Sequence, residues 1–452
     1  MNSSLFLALF SGLGIFYLIL GWYASRSIKT ISDYFLAGRN LSLTSLSFTL
    51  IATQLGGNLL LGSAQWAFDY GIYGILYALG MGFGFLLLST GFAAKLHKSK
   101  ASTTAELFEL RYNSPTLKKI ASFISILSLC GILVSLVVAA RALITGLGIQ
   151  NELIFGLFWL FVIVYTMIGG LKAVVVTDVV QVIFIILSIG GLFLFCLLFT
   201  PAPLVSLGKL CTQQSLFDSS SLTIGKIGAT FTMPALFSLI EQDLAQRFFA
   251  ARTHKIALLS AFIACLFIVF FGIIPVYFGM QAQLTGIAGT DASPLVRILE
   301  VITNGNIIFI GAVCGIIAAI TSTADSLLCA ISSNICQDFN IGKGTKNRLL
   351  ISQVITFLVG VIAFIAAYGV NKNIIDITIG SYELSVSCLL IPMLFSLYRK
   401  NLNKNAAIVS ALFGFFGFVF FAFYPIPIAK EAATLTLSLI GYWIGNNIKR
   451  RY

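Results

Sequence analysis

Long apolar runs, separated by short polar stretches, recur from one end of the chain to the other. Of the 452 residues, 58% are hydrophobic and only 10% are charged, and the mean hydropathy is +0.98. An apolar run of about 20 residues crosses the hydrocarbon core of a bilayer as a helix, because a helix satisfies its own backbone hydrogen bonds. This composition excludes a soluble domain and predicts an all-α polytopic membrane protein.

Hydropathy and the polar breaks predict about 13 transmembrane helices. No linker, low-complexity tract or shift in composition divides the chain, so residues 1–452 are predicted to form a single transmembrane domain. To within about three residues, the predicted spans are 4–23, 41–69, 71–95, 119–147, 152–169, 172–200, 227–247, 255–280, 305–336, 349–370, 374–398, 405–424 and 431–447.

The distribution of basic residues predicts the orientation of the chain. With the N-terminus outside, 22 of the 28 Lys and Arg residues fall in inside loops and five fall outside, while Arg141 alone lies within a span. We therefore predict a multi-pass plasma (inner) membrane protein with the N-terminus outside and the C-terminus in the cytoplasm. The net charge of +12 then reflects this bias, and no nucleic-acid partner and no obligate protein partner is predicted.

Span 305–336 carries three hydroxyls and a carboxylate within five residues. Ala319, Ser322, Thr323 and Ser326 recur at i, i+3, i+4 and i+7, so they share one helix face, with Asp325 at its edge. Oxygen ligands at membrane depth suit a small hard cation, and intramembrane acids are costly and usually functional. The alternative is that these hydroxyls bond only to their own helix or join helices together.

Two spans appear interrupted. In the second span, Gly56 and Gly57 stand between Gln54 and Asn58, which predicts a discontinuous helix whose exposed carbonyls and half-helix ends face an ion and a substrate. Close helix packing through small residues is the alternative. Pro234 is predicted to break the seventh span similarly. The two broken spans would then begin two five-helix halves, and because five is odd the halves are inverted.

Other charged residues lie within or beside the spans. Arg141 either reaches the outer interface or pairs with a carboxylate of substrate or protein. Asp178, near the inner end of the sixth span, is a candidate way-station for a cation or simply reaches the interface. Asp243 and Arg247 are spaced i, i+4, which predicts a structural salt bridge. No Walker A, G-x-S-x-G or His/acid cluster is present, so no enzyme is predicted.

Four motifs in order resemble those of the sodium:solute symporter family, which includes proline, pantothenate, sialic-acid, sugar and choline transporters. They are SDYFLAGR at 32–39, GGLKAVVVTDVVQ at 169–181, QDLAQR at 242–247 and AAITSTADS at 318–326. The resemblance implies a LeuT-type core of ten helices in a 5+5 inverted repeat at about 41–399. One extra N-terminal helix (about 4–23) and two C-terminal helices (about 405–424 and 431–447) would flank it.

The resemblance also implies ligands for sodium, the one cofactor predicted. The conserved sodium site would use backbone carbonyls of Ala52, Leu55 and Ala319 with the hydroxyls of Ser322 and Thr323.

A second cation site or exit path would use Asp178, Asp325 and Ser326. Asp325 replaces a hydroxyl of the sialic-acid branch, as in choline-type relatives, so a second cation and a protonatable group remain alternatives.

The substrate would lie between the two broken helices. The resemblance places Arg141 at an arginine of the proline branch, Phe237 at an aromatic gate of the sugar branch, and Leu59 where that branch has Gln, which disfavours a sugar. The predicted substrate-binding residues are Gln54, Gly56, Gly57, Asn58, Arg141 and Phe237.

Together these features predict a secondary symporter that couples inward sodium movement to uptake of a small polar organic solute by alternating access. A proton-coupled symporter of the same fold, a non-transporting sodium or solute sensor, and a channel are the alternatives. Arg141 points to a carboxylate-bearing solute, whereas Gly56, Gly57 and Asp325 point to a quaternary amine. The sequence leaves this choice open.

Overall fold

The protein is built from α-helices throughout the part of the chain that the structure describes. The computed structural model describes residues 3–26, 28, 30–213, 216, 222–287, 293–345, 347–370, 372–424 and 429–448, and among them it contains no β-strand, only an isolated bridge between Leu41 and Ala251. Five of the basic residues predicted to lie inside fall outside the described residues: Lys29, Lys346, Lys449, Arg450 and Arg451.

The helices follow one another with short connections. The first half contains α1 (Ser3–Ser25), α2 (Ile31–Leu36), α3 (Leu43–Gln54), α4 (Ser63–Tyr70), α5 (Leu76–Leu87), α6 (Ala93–Ser99), α7 (Thr104–Tyr112), α8 (Pro115–Gly146), α9 (Glu152–Ile185) and α10 (Gly191–Phe199). The second half contains α11 (Leu207–Thr212), α12 (Ile224–Phe237), α13 (Gln242–Ala250), α14 (His254–Phe271), α15 (Ile273–Leu284), α16 (Pro294–Ile302), α17 (Ile307–Ser333), α18 (Arg348–Ala367), α19 (Ile374–Tyr398), α20 (Lys404–Phe423) and α21 (Lys430–Asn447). Single π-helical turns join several of them, at Asn58–Gly62, Leu88–Phe92, Ile186–Gly190 and Asn334–Asp338.

Each of the predicted spans is largely helical in the structure, and spans 41–69 and 227–247 each contain a break. By length and composition, eight continuous helical segments of the described chain are apolar enough to cross a membrane. This number is below 13 because neighbouring spans run together in the segments Asn58–Ser99 and Glu152–Phe199. In addition, α12 and α13 are each short, and α21 has polar ends.

Gly170 separates two spans within the long helix α9. Its φ of 51° and ψ of −166° are not helical, so the helix kinks there, between predicted spans 152–169 and 172–200. A Cβ atom at Gly170 would also lie 2.6 Å from the carbonyl oxygen of Tyr34. Only glycine suits this position, because side chains are strained at such a φ and α2 leaves no room.

Replacing Gly170 with alanine should therefore destabilise the protein. We expect a loss of about 1–3 kcal/mol, from a strained backbone and contact with Tyr34. The measurement is the thermal unfolding temperature of the purified variant. Gly191→Ala is the matched control, because Gly191 lies in helix with nothing within 4 Å of the added Cβ. Equal unfolding temperatures for the two variants would contradict a requirement for glycine at position 170.

The two predicted helix breaks are present, one in each half. In the first half α3 ends at Gln54, and a π-helical turn from Asn58 leads into α4. In the second half α12 ends at Phe237 and α13 begins at Gln242. The second break lies just beyond Pro234, which stays inside α12, since its carbonyl still accepts hydrogen bonds from Ser238.

The ends of the two broken helices that lie away from the breaks are tied together. The N–H of Leu41, just before α3, donates to the Ala250 carbonyl (3.0 Å), and the N–H of Arg252 donates to the Leu41 carbonyl (3.0 Å). This pairing holds the start of α3 against the end of α13.

Helix α17 occupies the centre of the bundle. All its residues from Ala312 to Ser333 are buried, and it packs against α8, α9, α18 and α3. The two C-terminal helices pack against each other and against α19. Every polar residue in the middle of α17 therefore faces protein, where it must find a partner.

Candidate ion and solute site

The polar face of α17 meets α3 at the point where α3 ends. Ser322 Oγ lies 3.1 Å from the Ala52 carbonyl oxygen, and Thr323 Oγ1 lies 2.9 Å from that of Thr53 and 3.5 Å from that of Ala52. Both hydroxyls also lie near the Ala319 carbonyl, at 3.0 and 3.3 Å. The structure thus brings together hydroxyl and carbonyl oxygens from two helices.

This donor set suits a small hard cation. Hydroxyl and carbonyl oxygens are hard ligands without net charge. Leu55, the remaining predicted sodium ligand, is the fully buried C-cap of α3 and begins the break, three residues after Ala52. The alternative was that these hydroxyls bond only their own helix or join two helices. Both kinds of contact are observed, because each hydroxyl contacts a carbonyl of α17 as well as one of α3.

Gly56 and Gly57 bring the break close to its neighbours. A Cβ atom at Gly56 would lie 2.8 Å from the Cβ of Thr323, and one at Gly57 would lie 2.9 Å from the Cβ of Ala139 and 3.0 Å from Ile320. Both the discontinuous helix and the close packing expected of this glycine pair are therefore present. Gly56 faces the ion ligands, whereas Gly57 faces α8 and α17.

Arg247 organises a buried polar network beside this site. Its guanidinium donates to Ser326 Oγ (2.6 Å) and Thr49 Oγ1 (2.9 Å), and pairs with the Asp178 carboxylate at 3.4 Å. Thr49 donates a further hydrogen bond to Asp178. The predicted salt bridge between Asp243 and Arg247 is wrong. Arg247 donates a hydrogen bond to the backbone carbonyl of Asp243 (3.0 Å), and it forms its salt bridge with Asp178 of α9.

The predicted second cation residues lie around the same arginine. Asp178 and Ser326 both bond Arg247, and Asp325, which is fully buried, interacts electrostatically with Asp178 and Arg247 and lies near Tyr165. In this arrangement the positive charge beside Asp178 is the guanidinium. The second cation site therefore stays a prediction.

A narrow cavity opens between the two helix breaks. It is lined by Gln54, Gly56 and Asn58 from the first break, by Glu241 and Asp243 from the second, and by Thr323 of α17. Tyr77 of α5 and Tyr382 of α19 complete one side, with their hydroxyls hydrogen-bonded at 2.9 Å. The cavity thus shares Thr323 with the candidate ion site.

Three of the six predicted substrate residues, Gln54, Gly56 and Asn58, line this cavity. Gln54 Nε2 donates to Glu241 at 3.3 Å, and Asn58 Oδ1 accepts from Ser135 at 3.1 Å. The ring of Phe237 stacks on Tyr382, with centroids 4.3 Å apart.

Arg141 is not brought to the cavity. Its side chain is 47% exposed at the far end of α8, where it pairs with Glu152 and lies 5.0 Å from the ring centroid of Tyr368. The prediction of Arg141 as a substrate ligand therefore has no support in the geometry. Of the two alternatives, pairing with a protein carboxylate is the one observed, because the following helix α9 begins with Glu152.

Sequence reasoning missed several residues of this site. Glu241 and Asp243 fall near the end of the predicted span 227–247, and Tyr77 and Tyr382 lie within long apolar runs that mark neither of them. Two acids directly after an apolar helix containing proline were the available clue to the first pair. The tyrosines become recognisable only when α5 and α19 are placed beside the breaks.

Comparisons with known proteins agree with this geometry. The model of the sodium:solute symporter family matches residues 34–414, which is most of the chain. The osmoregulated proline transporter OpuE of Bacillus subtilis (strain 168) is 25% identical over 432 residues, covering 89% of this chain and 86% of that protein.

Solved structures show the same fold. A Na+-coupled sialic acid symporter in a substrate-bound outward-open state superposes with a TM-score of 0.79 at 18% identity, covering 98% of this chain and 97% of that one. MhsT in complex with L-phenylalanine superposes with a TM-score of 0.58 at 14% identity, covering 90% and 98%. These relatives are transporters with a LeuT-type core, and the chain is a membrane transporter that belongs to the sodium:solute symporter family.

Proposed function

We propose that this protein couples inward sodium movement to the uptake of a small polar organic solute by alternating access. Sodium would bind between the carbonyls of Ala52, Leu55 and Ala319 and the hydroxyls of Ser322 and Thr323. The solute would bind in the cavity between the helix breaks. Coupling requires that sodium and solute each bind one conformation better than the other, since equal binding shifts no equilibrium.

One observation carries this proposal. The hydroxyls of Ser322 and Thr323 lie within 3.1 and 2.9 Å of carbonyl oxygens at the end of α3, although they belong to a different helix. A cation held there would fix α17 against the break of the first core helix. Because Thr323 also lines the cavity, the same cation would shape the solute site.

Direction and location complete the proposal. The bias of basic residues supports a C-terminus in the cytoplasm and an N-terminus outside the plasma (inner) membrane. An inside-negative potential then favours sodium entry by about 2.3 kcal/mol per charge per 100 mV. Sodium and the solute are the partners we assign, within a lipid bilayer.

Solute-induced current in proteoliposomes tests the proposal. The probes are proline, chosen because the related OpuE is a proline transporter, together with choline and glucose. We expect a saturable current with at least one probe in sodium and none when potassium replaces sodium. Vesicles preloaded with that probe should also exchange it for labelled probe without an ion gradient.

The alternatives give different results. Uptake driven by a pH gradient in the absence of sodium would favour the proton-coupled symporter. Flux that does not saturate and shows no exchange would favour a channel. A protein that is stabilised by sodium yet moves none of the three probes would favour a sensor.

A further inference from the structure

Two carboxylates face the solute cavity from the break between α12 and α13. Glu241 is 5% exposed and Asp243 1%, and the two groups lie close enough to interact with each other. Glu241 receives one hydrogen bond, from Gln54. Asp243 Oδ1 accepts from the N–H of Leu244, whereas Oδ2 accepts none from any described residue. A buried carboxylate is stable either with a positive partner or with a proton, so this pair can hold a cation when it is ionised.

The protein itself offers little positive charge here. Arg247 is the one Lys or Arg among the buried residues of the described chain, and no Lys or Arg lines the cavity. Its guanidinium donors are directed to Thr49, Ser326, Asp178 and the carbonyl of Asp243, and it forms its salt bridge with Asp178. The Arg247 charge also acts on Glu241 and Asp243 at longer range, but among the described residues the acid pair has no salt bridge of its own.

Sodium at the site on α17 would have uncharged oxygens as its ligands, and the acid pair is not among them. Its ligands, Ser322 and Thr323, bond carbonyls of α3, whereas Glu241 and Asp243 belong to the other broken helix. A cation that contacts the acid pair directly would therefore be a second ligand, on the α13 side of the cavity.

Two tyrosines line the same cavity as the acid pair. Tyr77 and Tyr382 line it, hydrogen-bonded to each other through their hydroxyls, and Phe237 stacks behind Tyr382. Aromatic faces attract ammonium groups, most strongly where water is excluded. A cavity lined by both carboxylates and tyrosine rings therefore suits an organic ammonium ion.

We propose that the transported solute is a net cationic organic amine, whose ammonium group binds between the Glu241–Asp243 pair and the rings of Tyr77 and Tyr382. This inference rests on the proposed function and specifies its substrate class. A zwitterion would bring its own carboxylate next to two others, with no cationic side chain in the cavity to receive it. Arg141, the residue that had favoured a carboxylate-bearing solute, lies at the far end of α8 and not at the cavity.

The test compares matched probes by thermal unfolding of the purified protein in saturating sodium. The cations are choline, ethanolamine and putrescine; their neutral counterparts are dimethylbutanol, ethylene glycol and butanediol; the zwitterions are glycine betaine and proline. We expect at least one cation to raise the unfolding temperature while its neutral counterpart does not. Equal or larger shifts with a neutral or zwitterionic probe, or no shift with any of the cations, would overturn the inference.

Charge-neutral variants then locate the effect. Glu241→Gln and Asp243→Asn keep the shape of each side chain but remove its charge, so the cation concentration for half-maximal effect should rise roughly tenfold to a hundredfold. Asp69→Asn is the matched control, because Asp69 bonds Gln65 on α4 away from the cavity, and it should respond as the wild type.

The sodium response separates the two proposals. Sodium stabilises wild type and all three variants if the symport proposal holds. Unchanged cation responses in Glu241→Gln and Asp243→Asn, with the sodium response intact, refute the cationic-solute inference alone. If sodium does not stabilise the wild type more than potassium does, the proposed function is refuted.

Discussion

Replacing Ser322 and Thr323 together with alanine should abolish the stabilisation of the folded protein by sodium. The double variant removes the two hydroxyls that meet the Ala52 and Thr53 carbonyls. A ligand that binds only the folded form stabilises it by about 2.7 kcal/mol at a hundred times its Kd, so the effect is measurable as a shift in unfolding temperature. The titration exchanges sodium for potassium at constant ionic strength.

Ser332→Ala is the control for this variant. Ser332 is buried on the same helix, but its hydroxyl bonds the carbonyl of Cys329 within α17 (3.0 Å), so its loss should leave the sodium shift intact. A sodium-specific shift that survives in the double variant would place the ion elsewhere. Equal effects of sodium and potassium on the wild type would argue against sodium coupling altogether.

Replacing Arg247 with methionine should lower the free energy of unfolding by about 3–5 kcal/mol, because removal of one partner leaves a buried charge uncompensated. Methionine keeps most of the side-chain volume, so packing changes little. The fully buried Asp178 carboxylate would lose its ion pair, while Ser326 and Thr49 would each lose a hydrogen bond. The measurement is thermal or denaturant unfolding in detergent.

A second variant keeps this prediction testable if Arg247→Met does not fold. Adding Asp178→Asn removes the uncompensated charge and should restore part of the stability. Arg141→Met is the matched control, since its exposed pair with Glu152 is of the kind that contributes about 0–1 kcal/mol. If Arg247→Met is as stable as Arg141→Met, the buried pair does not stabilise the fold.

The ion-site face was predictable because it depends on the geometry of a single helix. The spacing of Ala319, Ser322 and Thr323 places them on one side of α17 wherever that helix lies. The glycine pair at 56 and 57 likewise marked the first break, since few residues weaken a helix so strongly. The family motifs then supplied the partner helix, which spacing cannot identify.

Side-chain partners were predicted less well. Arg247 was expected to pair four residues back with Asp243, but its carboxylate partner is Asp178, from a helix in the other half of the chain. Arg141 was expected at the substrate, yet its position on α8 places it beside Glu152. The seventh span was expected to break at Pro234. The proline lies within α12, and the helix continues to Phe237 before it ends.

The sequence by itself determined the class of the protein, its helical segments and the polar face of α17, because hydropathy and helical periodicity are local properties of the chain. The tertiary structure decided that Glu241 and Asp243 share a cavity with Tyr77 and Tyr382, and that one arginine compensates Asp178. These contacts join helices far apart in sequence. A buried charge acquires its partner only when such helices pack. In the low-dielectric interior the pairing is stable only if the packed helices bring the two charged groups close together.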